Sequence, residues 1–361
     1  MEFLFLFLIP LLIPAVVFIA KREISLKELA IHCGIQALLA GVLVGLLFIS
    51  STSDWEIWNG IVTKKEKETV SCEHSYDCNC REECSGSGEN KSCSTVCDTC
   101  YRHWEDYDWT YYTTDGGRNT IDRIDDQGAY KPARWERIII GEPSVSSHMF
   151  TNYVKAAADS LFKAQGQKEQ FAKLLKSVTY PNKIYDYYRI DRVVPIGIVL
   201  PKKKDMEVEL SKINSQLGKR KQVNMIIVIV NSVSPDFFYA LEEHWLGGKK
   251  NDVILVVGVG QEETTVKIQW VNTMAWTDSE YFKIMLRDAV LALKELDLED
   301  PTQVTSVLAS TVGEHYKRKP MADFAYLKDS IQPSTTQIAV ALLFGLLASA
   351  GMTWFFYEHE I

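Results

Sequence analysis

Three long uncharged apolar runs at the two ends of the chain limit what it can fold into. They cover residues 3–20, 29–49 and 337–357, and are 18, 21 and 21 residues long. A helix that crosses a hydrocarbon core needs about 20 apolar residues, so each run is long enough to do so. The third run ends in four aromatic residues, which are typical of the water–lipid interface. The sequence therefore predicts three transmembrane helices.

Two alternatives remain open for these runs. Any of them can be a buried helix of a soluble fold, and the first can be a cleaved signal peptide. Signal peptides begin with a basic segment and end at small residues. Here Glu2 precedes the first run, and Lys21 and Arg22 follow it. This order of charges favours a helix that is retained.

The charges beside the runs predict an orientation. The short loop between the first two runs carries Lys21, Arg22 and Lys27, and the segment before the first run has no Lys or Arg. Positive charge in short loops marks the cytoplasmic side of a membrane. This places residues 51–336 outside the cytoplasm in a multi-pass integral membrane protein. Basic clusters at 64–67 and 317–319 favour the opposite orientation, but long domains translocate largely regardless of charge.

Charge and hydropathy exclude two classes of protein. The formal net charge is −8, whereas duplex nucleic acid binds to basic surfaces. The mean hydropathy of −0.08 is an average over apolar ends and an acidic central region. This concentration of apolar residues at the two ends excludes an ordinary soluble enzyme. We expect a lipid bilayer as one partner and a protein as another, whose identity the sequence does not give. We expect no nucleic-acid partner.

A cysteine-rich module follows the second run. Seven cysteines and two histidines occur within residues 72–103, and zinc takes four Cys or His ligands at such short spacings. Cys97-x-x-Cys100 followed by His103 is one such spacing, and Cys78-x-Cys80 with Cys84 is another. The candidate zinc ligands are Cys72, His74, Cys78, Cys80, Cys84, Cys93, Cys97, Cys100 and His103.

Disulfides are an equal alternative for the same cysteines. The predicted orientation places them in a compartment that oxidises thiols. Because seven is an odd number, at most three bridges form and one thiol is left over. Their connectivity cannot be read from the sequence. A redox-active Cys97-x-x-Cys100 pair is a third alternative, but the strand–helix context of a thioredoxin motif is absent.

Aromatic residues are dense just after the module. Trp104, Trp109 and Tyr111 are candidate binding residues, because aromatic side chains often anchor protein interfaces. The alternative is that these residues form the small apolar core that covers the cysteine module.

Residues 131–320 alternate between strand and helix patterns. Continuous apolar strands at 223–230 and 252–259 are typical of strands buried on both faces. Ser234-Pro235 predicts a helix start, and Gly247-Gly248 predicts its end. The order predicts an α/β sandwich with a mixed sheet. Gly258 and Gly260 are weak evidence for a phosphate loop, because no helix start follows them, so no nucleotide cofactor is indicated.

These patterns divide the chain into four parts. Residues 1–50 hold two membrane helices and a short basic loop, and residues 51–130 hold the cysteine-rich module. The α/β domain covers residues 131–320. Residues 321–361 form a linker and the last membrane helix.

Residues 223–295 resemble the TPM domain. The matching features are an apolar strand at 225–230, a helix ending in Trp245-x-Gly247, the turn 249–252 before a second strand, and a helix at 278–293. The segment 270–276 replaces the Gly-x-Gly-x-Glu segment of that family. The resemblance implies an extracytoplasmic domain beside a membrane helix. It also implies phosphatase or metal-binding activity in some members, for which Asp252 is the candidate residue.

The whole chain is also similar to membrane proteins encoded by bacteria and their phages. The likeness rests on a double amino-terminal span, on residues 70–76, and on Cys97-Asp-Thr-Cys100-Tyr. It brings no activity with it. We therefore expect a membrane protein whose extracytoplasmic α/β domain binds a protein or assembles a membrane complex. The alternative is a metal-dependent phosphohydrolase with carboxylates at Asp236, Asp252 and Asp278.

Overall fold

The computed structural model describes most of the chain and shows a mixed α/β protein. The described residues are 4–20, 24–72, 74–86, 92–102, 104–121, 131–157, 167–185, 189–260 and 265–359. The helices are α1 (Phe5–Ala20), α2 (Leu26–Thr52), α3 (Ala133–Arg137), α4 (Tyr153–Ala156), α5 (Gln167–Gln170), α6 (Ala172–Leu175), α7 (Lys203–Lys221), α8 (Asp236–Trp245), α9 (Glu280–Leu291), α10 (Gln303–His315) and α11 (Thr335–Glu358).

Thirteen strands are described, and a 3-10 helix spans Met321–Ser330. The strands are β1 (Ser53–Ser71), β2 (Ser75–Ser85), β3 (Ser92–Tyr101), β4 (Glu105–Thr113), β5 (Gly117–Ile121), β6 (Pro143–Thr151), β7 (Ile184–Tyr185), β8 (Arg189–Ile190), β9 (Val193–Ile196), β10 (Asn224–Asn231), β11 (Asp252–Gly260), β12 (Thr265–Ala275) and β13 (Glu295–Asp297).

Two described helices, not three, are long and apolar enough to cross a membrane. They are α2, with 27 residues, and α11, with 24. Both begin with a capping box, in which Ser25 and Ser334 are the N-cap residues. The first apolar run forms α1, a helix of 16 residues. At 1.5 Å per residue α1 is about 24 Å long, which is shorter than a hydrocarbon core of about 30 Å. The expectation of three full-length spans is therefore corrected to two.

The shorter helix α1 nevertheless packs against the other two apolar helices. Leu6 of α1, Leu47 of α2 and Ala341 of α11 are buried together. The Ser349 hydroxyl donates to the Pro10 carbonyl at 2.6 Å. That carbonyl lacks its usual helical donor, because the residue four positions later is Pro14, which has no N–H. Ser349 thus satisfies a backbone group that a proline leaves open.

An antiparallel sheet continues directly from α2. Its strand order is β5-β4-β1-β6, and β1 begins at Ser53, one residue after α2 ends. The first half of β1 pairs with β6, and the second half pairs with β4 as far as Ser71. With 19 residues at about 3.3 Å each, β1 extends roughly 60 Å. The strand therefore connects the end of an apolar helix to the cysteine-rich segment without a break.

A second sheet forms the α/β layers, in the order β13-β12-β11-β10-β9. Strands β9, β10 and β11 are parallel, and β12 and β13 pair antiparallel, so the sheet is mixed as predicted. Helices α7, α9 and α10 contribute to the core on one face. Helix α8 and Leu175 of α6 cover the other face. The layered arrangement follows from strands that are apolar on both faces, each of which needs a cover.

The two sheets meet where α7 crosses β1. A Cβ atom on Gly218 of α7 would lie 2.1 Å from the carbonyl oxygen of Asn59 in β1. Only glycine allows the helix to come this close to the strand. This contact fixes the α/β layers against the strand that leads to the cysteine-rich segment.

Candidate functional site

Three disulfides join the two strands of the cysteine-rich hairpin. Strands β2 and β3 pair only with each other, and the bridges are Cys78–Cys100, Cys80–Cys97 and Cys84–Cys93. This confirms disulfides for six of the predicted zinc ligands and corrects the zinc prediction for them. A sulfur held in a disulfide is not the thiolate that zinc needs. Cys72 and Cys33 keep their thiols.

The disulfides hold a segment that has almost no core. In β2 all residues except Cys78 are exposed. An isolated two-stranded hairpin is at best marginally stable in water, and cross-links commonly replace the missing core in such small units. At the base of the hairpin the Arg102 N–H donates to the His74 carbonyl at 3.1 Å. The bridges and this contact hold the hairpin in one conformation.

A groove of about 580 Å³ lies at the base of this hairpin. Three of its aromatic residues are exposed: Tyr76 by 49%, Tyr101 by 59% and Trp104 by 99%. An exposed cluster of aromatic rings on a rigid support is typical of a protein-binding surface. We name it the hairpin groove; its lining residues are Ser71, Cys72, Tyr76, Cys100, Tyr101, Arg102 and Trp104.

The three predicted aromatic binding residues lie in different environments. Trp104 faces solvent in the hairpin groove, whereas Trp109 and Tyr111 are only 5% and 7% exposed. Trp109 packs edge-on against Trp135, with ring centroids 4.9 Å apart. Tyr111 belongs to a small core with Val62. The two buried residues pack within the β5-β4-β1-β6 sheet and its neighbours, and Trp104 is the one that a partner can reach.

Three ligand types converge beside the hairpin groove. The Cys72 sulfur, a His74 ring nitrogen and an Asp106 carboxylate oxygen all lie within 4.8 Å of one another. His74 Nδ1 is 3.6 Å from Asp106 Oδ2, and the His74 backbone N–H donates to Cys72 Sγ at 3.4 Å. Cys72 and His74 were predicted as zinc ligands, whereas Asp106 was not. His103, the remaining predicted ligand, lies outside the described residues.

Asp252 lies in the interior, at the amino end of the parallel strands. It is the first residue of β11 and is fully buried. Its carboxylate accepts hydrogen bonds from the Tyr180 hydroxyl at 2.5 Å, from Asn224 Nδ2 at 2.9 Å and from the Lys249 N–H at 2.8 Å. Burial raises the pKa of Asp252 to about 6, although these donors favour the ionised form.

Charged side chains beside Asp252 join the two sheets. Lys249 Nζ donates to both oxygens of Asp54 in β1, at 2.6 and 2.8 Å, and Asn152 donates to the same carboxylate at 2.7 Å. Burial opposes ionisation of Asp54, but the hydrogen bond and charge of Lys249 hold its pKa below the usual range. In the same region Arg318 binds both oxygens of Glu56 at 2.7 Å. These ion pairs attach the α/β layers to β1.

A fully buried arginine continues this network. Arg192 Nε donates to Asn224 Oδ1 at 2.9 Å, and its guanidinium also contacts the side-chain oxygen of Asn59. Glu207 of α7 accepts the backbone N–H groups of Arg192 and Val193, each at 2.7 Å. Burial lowers the pKa of Arg192 to about 10 and raises that of Glu207 to about 7. The network joins β1, β10 and α7 through Arg192, although the buried Arg192 Nη1 has no hydrogen-bond partner among the described residues.

The predicted carboxylates do not form one site. Asp252 begins β11, whereas Asp236 begins α8, which follows the opposite end of the parallel strand β10. Eight residues of β10 separate the two ends by about 25 Å. Asp278 pairs with Lys317 at 2.7 Å. A single metal ion cannot bind all three residues.

One of the two glycines that were weak evidence for a phosphate loop has a packing role. Gly258 and Gly260 lie within β11 rather than in a turn, and a Cβ on Gly258 would come within 2.0 Å of the Trp270 ring. Trp270 Nε1 donates to the Ser232 carbonyl at 2.8 Å, at the carboxyl end of β10. The glycine therefore makes room for an indole that closes this end of the sheet.

Comparison with protein-family models, with curated proteins and with solved structures finds no match to this chain. Asp106, Tyr180 and Lys249 were absent from the sequence-based candidates, because only tertiary contacts between distant parts of the chain bring them beside their partners.

Proposed function

We propose that this chain is a multi-pass membrane protein whose region 51–336 lies outside the cytoplasm and binds a protein partner through the hairpin groove. One observation carries the proposal: Trp104 is 99% exposed in a groove beside a hairpin that three disulfides hold rigid. Rigid aromatic residues bind with little loss of conformational entropy. The consequence of such binding is the assembly of a complex at the membrane.

The disulfides support the proposed compartment. Disulfides persist in oxidising compartments and are rare where thiols are kept reduced. Six cysteines in one hairpin are bridged, and the basic loop at residues 21–27 favours the same orientation. A reporter that is active only outside the cytoplasm tests this topology. It should be active when fused after residue 320 and inactive when fused after residue 27. The reverse pattern would refute the proposed orientation.

The charges around the hairpin groove indicate the chemistry of the partner. Exposed acidic residues outnumber basic ones on the hairpin and beside it, and one of the basic residues, Arg81, already pairs with Glu83 and Asp98. The partner segment is therefore apolar where it meets the rings and basic at its flanks. The exposed acidic residues are Asp77, Glu82, Glu83, Asp98 and Glu105.

Site-specific photocrosslinking in the native membrane tests the binding proposal. A photoreactive phenylalanine replaces Trp104 in one variant and Tyr281 in a matched control. Tyr281 is 65% exposed but lies on α9 of the α/β layers. We expect a discrete crosslinked protein from position 104 and none from position 281. The same products from both positions, or none from position 104, would contradict a partner at the groove.

The phosphohydrolase alternative rests on the TPM resemblance and on Asp252. A buried carboxylate with a raised pKa is a feature of some catalytic sites. Against this role, the Asp252 carboxylate is fully buried and already accepts three hydrogen bonds. The assay is hydrolysis of a generic phosphate ester with magnesium or manganese. Activity that is lost in Asp252→Ala and kept in Asp236→Ala would favour the phosphohydrolase alternative. Absence of hydrolysis by the wild-type protein would contradict it.

A further inference from the structure

The cluster of Cys72, His74 and Asp106 has a composition that suits a transition metal. We propose that these three residues bind one zinc ion at the base of the hairpin, beside the groove. A thiolate, a neutral imidazole and a carboxylate are the three ligand types that zinc uses in proteins. The thiolate and the carboxylate together carry two negative charges, which balance a divalent cation. The inference concerns a site that the proposed binding function does not require.

The distance between the histidine and carboxylate ligands is close to that in a zinc site. His74 Nδ1 and Asp106 Oδ2 are 3.6 Å apart, which exceeds the usual length of an N–H···O hydrogen bond. Two ligand atoms bound to zinc at about 2.0–2.1 Å in a tetrahedron lie about 3.3 Å apart. A shift of a few tenths of an ångström therefore brings these two atoms to the spacing of two zinc ligands.

Neighbouring backbone groups orient two of the three ligands. Asp106 is fully buried, and its Oδ1 accepts the Tyr107 N–H at 2.9 Å, which leaves Oδ2 on the side of His74. The His74 N–H donates to Cys72 Sγ at 3.4 Å. The Cys72 thiol in turn lies 3.8 Å from the His74 carbonyl oxygen. Such outer contacts are typical of metal ligands.

Strand pairing explains why residues 34 positions apart in the chain meet here. Val70 near the end of β1 is the register partner of Asp106 in β4, so Cys72 and His74 leave the sheet beside Asp106. The six other cysteines of the segment are consumed in disulfides, which leaves Cys72 as its one thiol. Zinc binding would also protect this thiol from oxidation.

The hairpin groove gives the site access to solvent. Cys72 lines the groove and is 5% exposed, so the path of an ion to the sulfur leads through the groove. When zinc binds, the Cys72 thiol loses its proton to water and the sulfur–zinc bond forms. Three protein ligands leave the fourth tetrahedral position for water or for a donor that enters from the groove.

Cobalt substitution tests the site in the full-length protein in detergent. Cobalt(II) bound to a thiolate gives a near-ultraviolet charge-transfer band. We expect this band and one equivalent of bound metal in the wild-type protein and in Cys33→Ser, which removes the other thiol. Cys72→Ser should lose the band, and Asp106→Asn should bind zinc about tenfold more weakly or worse.

Two controls separate loss of metal from loss of fold. Mass spectrometry under non-reducing conditions should find all three disulfides in every variant. In the wild-type protein, zinc should slow alkylation of Cys72, and a chelator should restore it. The proposal is overturned if the wild-type protein shows no charge-transfer band, or if the band persists in Cys72→Ser.

Discussion

The ion pair between Lys249 and Asp54 should carry much of the attachment between the two sheets. Asp54 is 5% exposed, and Lys249 Nζ reaches both of its oxygens. Among the described residues, the hydrogen-bond donors left to the Asp54 carboxylate in Lys249→Met are the Asn152 side chain and the Trp55 N–H. Removal of one partner of a buried pair costs roughly 3–5 kcal/mol, because the other charge stays buried.

The expected loss lies at the lower end of that range. Lys155 Nζ is 3.8 Å from Asp54 Oδ1 and is 41% exposed, so it compensates part of the charge. We therefore expect Lys249→Met to lower the free energy of unfolding by about 3 kcal/mol. Adding Asp54→Asn should recover part of this loss, with a coupling energy of about 1–2 kcal/mol.

Urea unfolding in detergent, followed by tryptophan fluorescence, measures these differences. The matched control is Glu68→Gln, which breaks the exposed pair with Arg118 at 2.9 Å. Exposed pairs contribute about 0–1 kcal/mol, so the control should change stability little. If Lys249→Met costs no more than the control, or if the double variant shows no coupling, the reasoning about the buried pair is wrong.

Three further results are expected. Alkylation of the unreduced, unfolded protein without added metal should label two cysteines, Cys33 and Cys72, and labelling of any other would contradict the bridging. Burial raises the folded-state pKa of Glu207 to about 7 from 4.5, so its contribution to stability is present below the unfolded value and is lost as pH rises through about 7. The unfolding free energy, measured by urea titration at each pH, should therefore fall between about pH 4.5 and pH 7, and Glu207→Gln should flatten that fall. Ser349→Ala leaves the Pro10 carbonyl without its donor and should lower the thermal midpoint in detergent, with a cost of about 1–3 kcal/mol, whereas an unchanged midpoint would show that this contact contributes nothing.

The α/β layers were the part of the fold that could be predicted best from the sequence. The apolar strand expected at 223–230 is β10 (Asn224–Asn231). The helix expected to have Ser234 as its N-cap and to run to Leu246 is α8 (Asp236–Trp245), in which Pro235 is the N-cap instead. Both are continuous patterns with clear stop signals. The likeness of this region to the TPM domain and the four domain boundaries stay predictions.

Elements and contacts that depend on distant parts of the chain could not be predicted from the sequence. The pattern at residues 153–162 is helical, but α4 ends at Ala156 because Ala157 forms a β-bridge with Ile331, far along the chain; residues 158–162 lie outside the described part of the chain. The pairing of Asp54 with Lys249 spans 195 positions, and Asp106 joins Cys72 only through the register of β1 and β4. Local periodicity carries no information on such contacts. The disulfide pattern was open for the same reason, since spacing alone does not fix connectivity.

The continuity of α2 and β1 has a mechanical consequence. A force applied to the hairpin is transmitted along β1 from Ser71 back to Ser53. It then reaches α2, which ends at the preceding residue, Thr52. Hydrogen bonds to β4 and β6 lie across this direction, so tension loads them in shear, and many must break together. The three disulfides stop the hairpin from lengthening under the same force. A force that a partner applies at the groove is therefore transmitted along β1 to the apolar helix.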